Sequence, residues 1–498
     1  MLKKDLEIET ELFTVANKLR GKIAPAEYKY YVLPMVFLRH LTLKYELRVK
    51  QIREEYPEND LILEEKEKYA EVDVFYVPLE ARWEYLKSFV KTDIIKDKID
   101  NAMELLEKEH EKLKGVLPKI YVNSNIPSDV ISDLILLFSH EKFNNLEENT
   151  IDSLGRIYEY FIGNFASTEG NRGGEFFTPS PIVRLLVSML EPIEGSVYDP
   201  ACGTGGMFIQ SHMYKDKKIK YFGQEQNSLT INLAKMNSIL HGIYPDIQQG
   251  DTLLNDLFPN LKADYIITNP PFNMKDWGAE YISENDPRLI GGVNKNNANY
   301  MWIQHILYHL NENGTAGFVI ANGALTSSQS SDKEVRKYLI ENELIDCVVQ
   351  LPDKMFFGTA IPSALIFISK SRKGDKNTRI RNNEILFLDV SSLGEFVSKK
   401  HKVLKDEEIS KISEIYKTFK EDNKELLEVG LFKIVSNEEV INNDYKLIPS
   451  LYVGVPEENL SVKDYEGEIS RLAKDLEKKF ADADKLSGLI IKNLGDYL

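Results

Sequence analysis

Four consecutive residues, Asn269-Pro270-Pro271-Phe272, close the short apolar run ADYIIT, and their types suit one chemistry. An exocyclic aromatic amine is a poor nucleophile because its lone pair is delocalised into the ring. An enzyme acting on it must pyramidalise the nitrogen, so that the pair points at an electrophile such as a sulfonium methyl. Two acceptors can do this: the Asn269 side-chain oxygen and the Pro270 carbonyl each take one amine hydrogen. Tandem prolines fix that carbonyl and remove N–H groups that would compete. Phe272 then offers a flat face on which an extruded ring can stack. Prolines after a strand are also ordinary punctuation, so the reading depends on what precedes them.

Upstream lies VYDPACGTGGMF, Val197 to Phe208, an apolar run ending in an acid and a glycine-rich turn. Gly203, Gly205 and Gly206 remove side chains where the backbone must turn tightly against a ligand, and ligands of open α/β sheets sit outside the strand carboxyl ends. Glu225 ends the next run, YFGQE, at the distance where such sheets place a ribose-binding carboxylate. Asp251, in QQGDTL, ends a third run and can accept a hydrogen bond from the adenine amine of the same cofactor. No Lys stands in the loop as in GxxxxGK[ST], which argues against a phosphate-binding loop for nucleoside triphosphates. Taken singly each acid reads as a surface carboxylate. In this order, each at a strand end, they read as a cofactor site.

Elements of a definite kind must position these residues. From Ser196 to Ile368, short apolar runs (SVYD, IKYFGQE, ADYIITN, TAGFVIAN, LIDCVVQLP, PSALIFIS) alternate with helical stretches, which predicts parallel strands linked by crossover helices. Before about Asn149 the pattern is helical, with no catalytic constellation. Beyond Pro456 the chain is charged and helical; Ile469, Leu472, Leu476, Phe480, Ala483, Leu486 and Ile490 recur at spacings of three and four, on one face. The expected divisions are a helical domain over 1–149, a catalytic domain over 150–455 and a helical tail over 456–498. Cys202 and Cys347 have neither a zinc spacing nor a disulfide framework and are expected to be packing or turn residues; no metal is expected. With neither a secretory signal nor an apolar run long enough to span a bilayer, the expected location is cytoplasmic, off the membrane.

At this point the sequence resembles the N6-adenine DNA methyltransferases, and more closely the modification subunits of Type I restriction-modification systems. DPACGTGG, Asp199 to Gly206, is similar to the family's cofactor motif, and Glu225 and Asp251 match its ribose and adenine acids. NPPF matches its catalytic tetrad, Asn269, Pro270, Pro271 and Phe272. GEFFTP, Gly174 to Pro179, resembles the segment that covers the methionine moiety. Softer likenesses are Ala16 to Leu41, Cys347 to Phe357 (CVVQLPDKMFF) and Asn443 to Val453 (NDYKLIPSLYV). The resemblance implies a Rossmann-like S-adenosylmethionine-dependent methyltransferase: α/β, a doubly wound, mainly parallel sheet with an N-terminal helical domain and a C-terminal helix. It places the cofactor against Glu175, Phe176, Phe177, Thr178, Pro179, Ser180, Asp199, Ala201, Cys202, Gly203, Thr204, Gly205, Glu225, Asp251 and Thr252. Phe356 is a candidate second stacking aromatic. The Cys202 thiol, at a variable family position, is given no chemistry.

A net charge of -16 is awkward for a protein that grips DNA, because duplex affinity comes largely from Lys and Arg neutralising phosphates. One local cluster, Lys370, Arg372, Lys373, Lys376, Arg379 and Arg381 against Asp375, reads equally as a basic grip or as a solvated loop. Residues 369–455 are short against a usual domain of roughly 100 to 150 residues, so sequence reading is expected from a partner. The resemblance implies double-stranded DNA and a separate specificity subunit, through which a second copy of this chain is recruited; a restriction subunit is left open. The stripe from Ile469 to Ile490 is the expected docking face, against the simpler reading that it packs within its own chain. The polar stretch from Gly278 to Asn299 is expected to be a mobile loop that orders when DNA enters, or an ordinary surface connection. Two competing functions are a protein or RNA N-methyltransferase using a similar tetrad, and a DNA-binding scaffold that lost its chemistry.

Overall fold

A computed structural model describes residues 27–139, 157–165, 178–214, 218–356, 361–374, 378–398, 401–421, 427–455 and 462–495. The chain divides into two compact units, Met1–Val453 and Gly454–Leu498. In the first unit the longer helices of the N-terminal region are α1 (Lys29–Glu55), α2 (Ile95–Glu109) and α3 (Ser128–Phe138). Their apolar faces close on one core containing Val36, Phe37, Trp83, Ile99, Met103 and Ile135.

The catalytic region runs α4 (Ser180–Leu190), β1 (Gly195–Asp199), α5 (Gly206–Tyr214), β2 (Ile219–Glu225), α6 (Ser228–Leu240), β3 (Asp246–Gln249) and β4 (Ala263–Thr268). It continues with α7 (Asn299–His309), β5 (Leu310–Ala321), α8 (Ser330–Glu341), β6 (Ile345–Gln350), β7 (Ser363–Ser369) and β8 (Glu384–Asp389). After these come β9 (Glu395–Ser398), β10 (His401–Val403), α9 (Asp406–Glu421), β11 (Leu427–Glu428) and β12 (Phe432–Ser436). Ten strands form one sheet in the order β11-β12-β8-β6-β7-β5-β4-β1-β2-β3, while β9 and β10 pair only with each other.

From β3 to β5 every neighbouring pair is parallel. The expected succession of parallel strands stops at β7, which lies antiparallel between β5 and β6. A parallel return needs a crossover, usually a helix, and no helix is described between Gln350 and Ser363. Three strands beyond Ile368, β8, β12 and β11, extend the sheet past the region where the sequence pattern was clear. Both faces are covered: Val197, Ile267, Val349 and Leu365 pack on one side, Tyr198, Ile266, Val348 and Ile366 on the other. That is why β6 and β7 are apolar at nearly every position instead of alternating. Leu233, Met236 and Ile239 of α6 join the N-terminal core, so the helical region is seated on the sheet by the helix that follows Glu225.

Among its described residues the second unit holds one helix, α10 (Val462–Gly495). Ile469, Leu472, Leu476, Phe480, Leu486 and Ile490 are each more than half exposed. No described helix is long and apolar enough to cross a membrane.

Candidate active site

The sheet order puts the candidate residues in a row. Asp251 follows β3, Glu225 ends β2, Asp199 ends β1 and Asn269 follows β4, all at the carboxyl edge. Three strand spacings of about 4.8 Å separate the first from the last, roughly 14 Å. Between β1 and β4 the strand order reverses, which is where open α/β sheets form their crevice.

The glycine turn is built for close approach. Gly203 and Gly205 have φ of +50° and +78°, where a side chain would be strained. The turn is tied to β2 by Cys202 N–H donating to the Gln224 carbonyl at 3.1 Å, and Gly203 N–H donates to Glu225 Oε2 at 3.1 Å. The other Glu225 oxygen accepts from Asn227 N–H at 2.9 Å. Asp251 Oδ1 accepts from the N–H groups of Leu253 and Leu254 at 3.0 and 3.2 Å, and Thr252 Oγ1 donates to the Pro200 carbonyl at 2.6 Å. Asp199 accepts from Ala201 N–H at 3.1 Å and is buried, which, with Glu225 nearby, pushes its pKa up to about 7. Burial likewise raises the Cys202 thiol far above its usual range, in keeping with a packing role.

A cavity of about 370 Å³ opens beside this turn. Of the expected residues, Thr178, Pro179, Ser180, Asp199, Ala201, Cys202, Gly203, Thr204, Gly206 and Asn269 line it. Glu225, Asp251, Thr252 and Gly205 stand along the same edge but outside the lining. Glu175, Phe176 and Phe177 lie outside the described residues. Sequence reasoning missed Glu159 and Asn164, from the helical stretch 157–165, as well as Gln210, Asn237 and His401. None stands in a motif. They reach the cavity because the N-terminal region, α5, α6 and the β9–β10 hairpin converge on it.

Asn269 is held in one orientation: its Nδ2 donates to Thr178 Oγ1 at 2.9 Å, and its Oδ1 is buried with no hydrogen-bond partner among the described residues. An amide oxygen left this way carries a desolvation cost that a ligand hydrogen would remove. Beyond the prolines, Asn273 takes φ of +60° while its N–H donates to Asn299 Oδ1 at 2.8 Å, which anchors the tetrad to the start of α7. Phe272 is only 7% exposed; it meets Phe356 edge to face at 6.0 Å and does not border the cavity.

The stretch 278–299 is already cross-braced. Trp277 Nε1–H donates to the Asn294 carbonyl at 3.1 Å, the Asn294 amide donates to Asp332 at 3.1 Å, and Ile290 N–H donates to Gln304 Oε1 at 2.8 Å. Arg288, buried, donates to Asp286, to the carbonyls of Thr252 and Leu253 at 3.2 and 2.8 Å, and to His305 Nδ1 at 3.3 Å. Arginine only donates, so His305 Nδ1 accepts and its Nε2–H faces the Tyr198 hydroxyl at 3.1 Å. Burial, with His309 and Arg288 beside it, holds the His305 pKa well below the usual histidine range. Asp256, His305 and His309 place ligand-type atoms within 4.8 Å of one another. Their nitrogens are engaged, however: His309 faces Asp256 Oδ2 at 2.9 Å and the Leu261 carbonyl at 3.0 Å.

Within the basic cluster, Lys373 is exposed, Asp375 and Lys376 lie outside the described residues, and the other four cations are engaged. Arg372 and Arg381 are buried on Asp346, at 3.2 and 3.0 Å, and Arg379 pairs with Glu384 at 2.6 Å. Burial alone would raise the Asp346 pKa, but these guanidiniums hold it below the ordinary value. Lys370 Nζ donates to the Leu310 carbonyl at 2.7 Å.

Sheet order, glycine turn and strand-end acids together define an S-adenosylmethionine-dependent methyltransferase fold. Comparisons with known proteins narrow the class. Residues 149–460 match the N-6 DNA Methylase family model, and residues 8–138 match the HsdM N-terminal domain. The Type I restriction enzyme MjaIX methylase subunit of Methanocaldococcus jannaschii is 37% identical, covering 95% of this chain and 89% of that protein. The Type I restriction enzyme HindI methylase subunit of Haemophilus influenzae is 35% identical over 84% of this chain and 99% of its own. A crystal structure of the type I restriction-modification system methyltransferase subunit from Streptococcus thermophilus superposes with a TM-score of 0.76 at 25% identity, covering 91% of this chain and 100% of that one. The chain belongs to the N-6 DNA methylase family, among the type I restriction enzyme methylase subunits.

Proposed function

We propose that this chain transfers a methyl group from S-adenosylmethionine to adenine N6 in duplex DNA, as the modification subunit of a complex whose specificity subunit reads the sequence. The observation that carries the reading is the Asn269 amide: anchored through Nδ2 on Thr178, it leaves a buried Oδ1 with no partner among the described residues, beside Asp199 at the sheet's reversal point. The cavity and glycine turn suit S-adenosylmethionine, whose sulfonium supplies an electrophilic methyl. Asp199, Ala201 to Gly205 and Thr178 to Ser180 would hold its methionine side, Glu225 its ribose, and Asp251 with Thr252 its adenine.

Asn269 Oδ1 and the Pro270 carbonyl each accept one N6 hydrogen, which draws the nitrogen out of conjugation. This matters most in the transition state, where the amine becomes tetrahedral. Phe272, the last residue of the tetrad, meets Phe356 edge to face, and this aromatic pair would back the extruded base. The exposed stripe of α10 would dock the specificity subunit, with two copies of this chain per partner. Truncation after Pro456 should keep cofactor binding and abolish co-purification with that subunit.

The deciding experiment is tritiated-methyl transfer to unmethylated DNA, RNA and peptide in parallel, followed by digestion of the product. N6-methyladenine from DNA supports the reading. Label in cytosine N4, RNA or peptide overturns it, as does unaided methylation of one defined sequence for the division of labour.

A further inference from the structure

The β9–β10 hairpin stands apart from the main sheet yet touches the site. His401, at its tip, borders the cavity that holds Asn269 and Thr178. Lys402 N–H donates to the Lys354 carbonyl at 3.0 Å, and Lys402 Nζ pairs with Asp353 at 3.0 Å, which ties the hairpin to the loop that carries Phe356. Its base is equally firm: Gly394 N–H donates to one Glu408 oxygen at 3.0 Å and Lys405 N–H to the other at 2.7 Å. On this braced frame Phe396 and Val397 are 57% and 59% exposed. Lys354 and Lys402 place their ammonium groups 5.2 and 5.1 Å from the centre of the Phe396 ring.

An exposed aromatic ring with two lysines beside it, on a hairpin whose His401 borders the cavity, suits a partner that is apolar at its centre and anionic at its edges. Stacked bases flanked by phosphates have that character. Charge agrees: Glu395 to Lys405 carries four lysines against one glutamate, in a chain whose net charge is -16. A base drawn out of a duplex also leaves a gap in the stack, and filling it with an apolar side chain lowers the cost of extrusion.

We propose that the β9–β10 hairpin is a DNA wedge: Phe396 packs against the stacked bases at the position vacated by the flipped adenine, while Lys354, the more exposed of the two lysines, meets a flanking phosphate. The proposal rests on the DNA-methyltransferase reading above. It is tested with the methyltransferase assembled on its specificity subunit and two duplex oligonucleotides. One holds the target adenine paired; the other holds it opposite an abasic site, where extrusion is already favoured. Phe396→Ala should lower kcat/KM about tenfold or more on the paired duplex, restore near wild-type transfer on the abasic duplex, and leave cofactor affinity unchanged. With 2-aminopurine at the target position, its fluorescence rise on binding should shrink in the same variant, whereas Phe396→Leu should keep most of it. Lys354→Gln should reduce the salt dependence of duplex binding by about one phosphate contact. An equal loss on both duplexes, or no loss on either, overturns the wedge while leaving the methyltransferase reading intact; absence of transfer by the wild-type complex overturns that reading itself.

Discussion

Two ends of one cleft are built on opposite plans. At the proposed cofactor end the carboxylates are engaged by their own backbone: Glu225 by Gly203 and Asn227, Asp251 by Leu253 and Leu254, with Arg288 donating to the carbonyls of Thr252 and Leu253. At the proposed acceptor end Asn269 Oδ1 is buried with no hydrogen-bond partner among the described residues. On the proposed reading, the first plan would give a receptor with fixed contacts, and the second would keep one acceptor for a group that reaches full complementarity only during reaction.

The sharpest way to break this contrast is Asn269→Ala. Removing a group that acts chiefly in the transition state should cut kcat by about 10²- to 10³-fold, with cofactor affinity by calorimetry nearly unchanged; a parallel loss of affinity would show that the two ends are not separable. Next comes Arg288→Met, which leaves Asp286 without its guanidinium and two carbonyls without donors. Breaking such a buried pair should cost about 3 kcal/mol of stability in denaturant unfolding and weaken cofactor binding, while Arg288→Lys recovers part of both. Glu225→Ala removes a charged acceptor worth about 1.5 to 3 kcal/mol, so cofactor affinity should fall roughly tenfold to a hundredfold, with kcat at saturation changing far less.

The smallest effect is a pH dependence confined to the cofactor end. The Asp199 pKa is raised by burial to about 7, and the cofactor's positive charge favours its ionised form. Affinity should therefore be complete above pH 7 and weaken as pH falls below it, by about tenfold per unit. The sign for stability is opposite. Without cofactor, the raised carboxyl favours the folded state most at acid pH, and that contribution is lost as pH rises towards 7. Asp199→Asn should flatten both profiles, and an unchanged affinity between pH 6 and 8 in the parent chain would remove Asp199 from the ligand set.

Much of the cleft was legible because its parts are local. An acid at the end of an apolar run, glycines in a turn and two prolines after an asparagine specify backbone shape and available acceptors within a few residues, wherever the strand lies. The helical N-terminal region and the stripe of α10 were legible for the same reason, through side-chain spacing. Other features depended on distant partners. Arg372 and Arg381 read equally as a basic grip or a solvated loop, whereas Asp346, on β6, draws them inside. The polar stretch 278–299 read as loose because Gln304 and Asp332, which hold it, come later in the chain.

The sequence by itself determined the order of chemistry along the chain: a glycine turn with Asp199, then Glu225, Asp251 and the Asn269 tetrad. It also determined that α10 has one apolar face. Tertiary structure alone decided that β7 reverses, that the stretch 157–165 and the β9–β10 hairpin complete the cavity, and that Thr178 holds the Asn269 amide. The physical reason is that residue type and spacing fix what a side chain can donate, accept or bury. Which group it meets depends on contacts between segments far apart in sequence, and no local pattern records them.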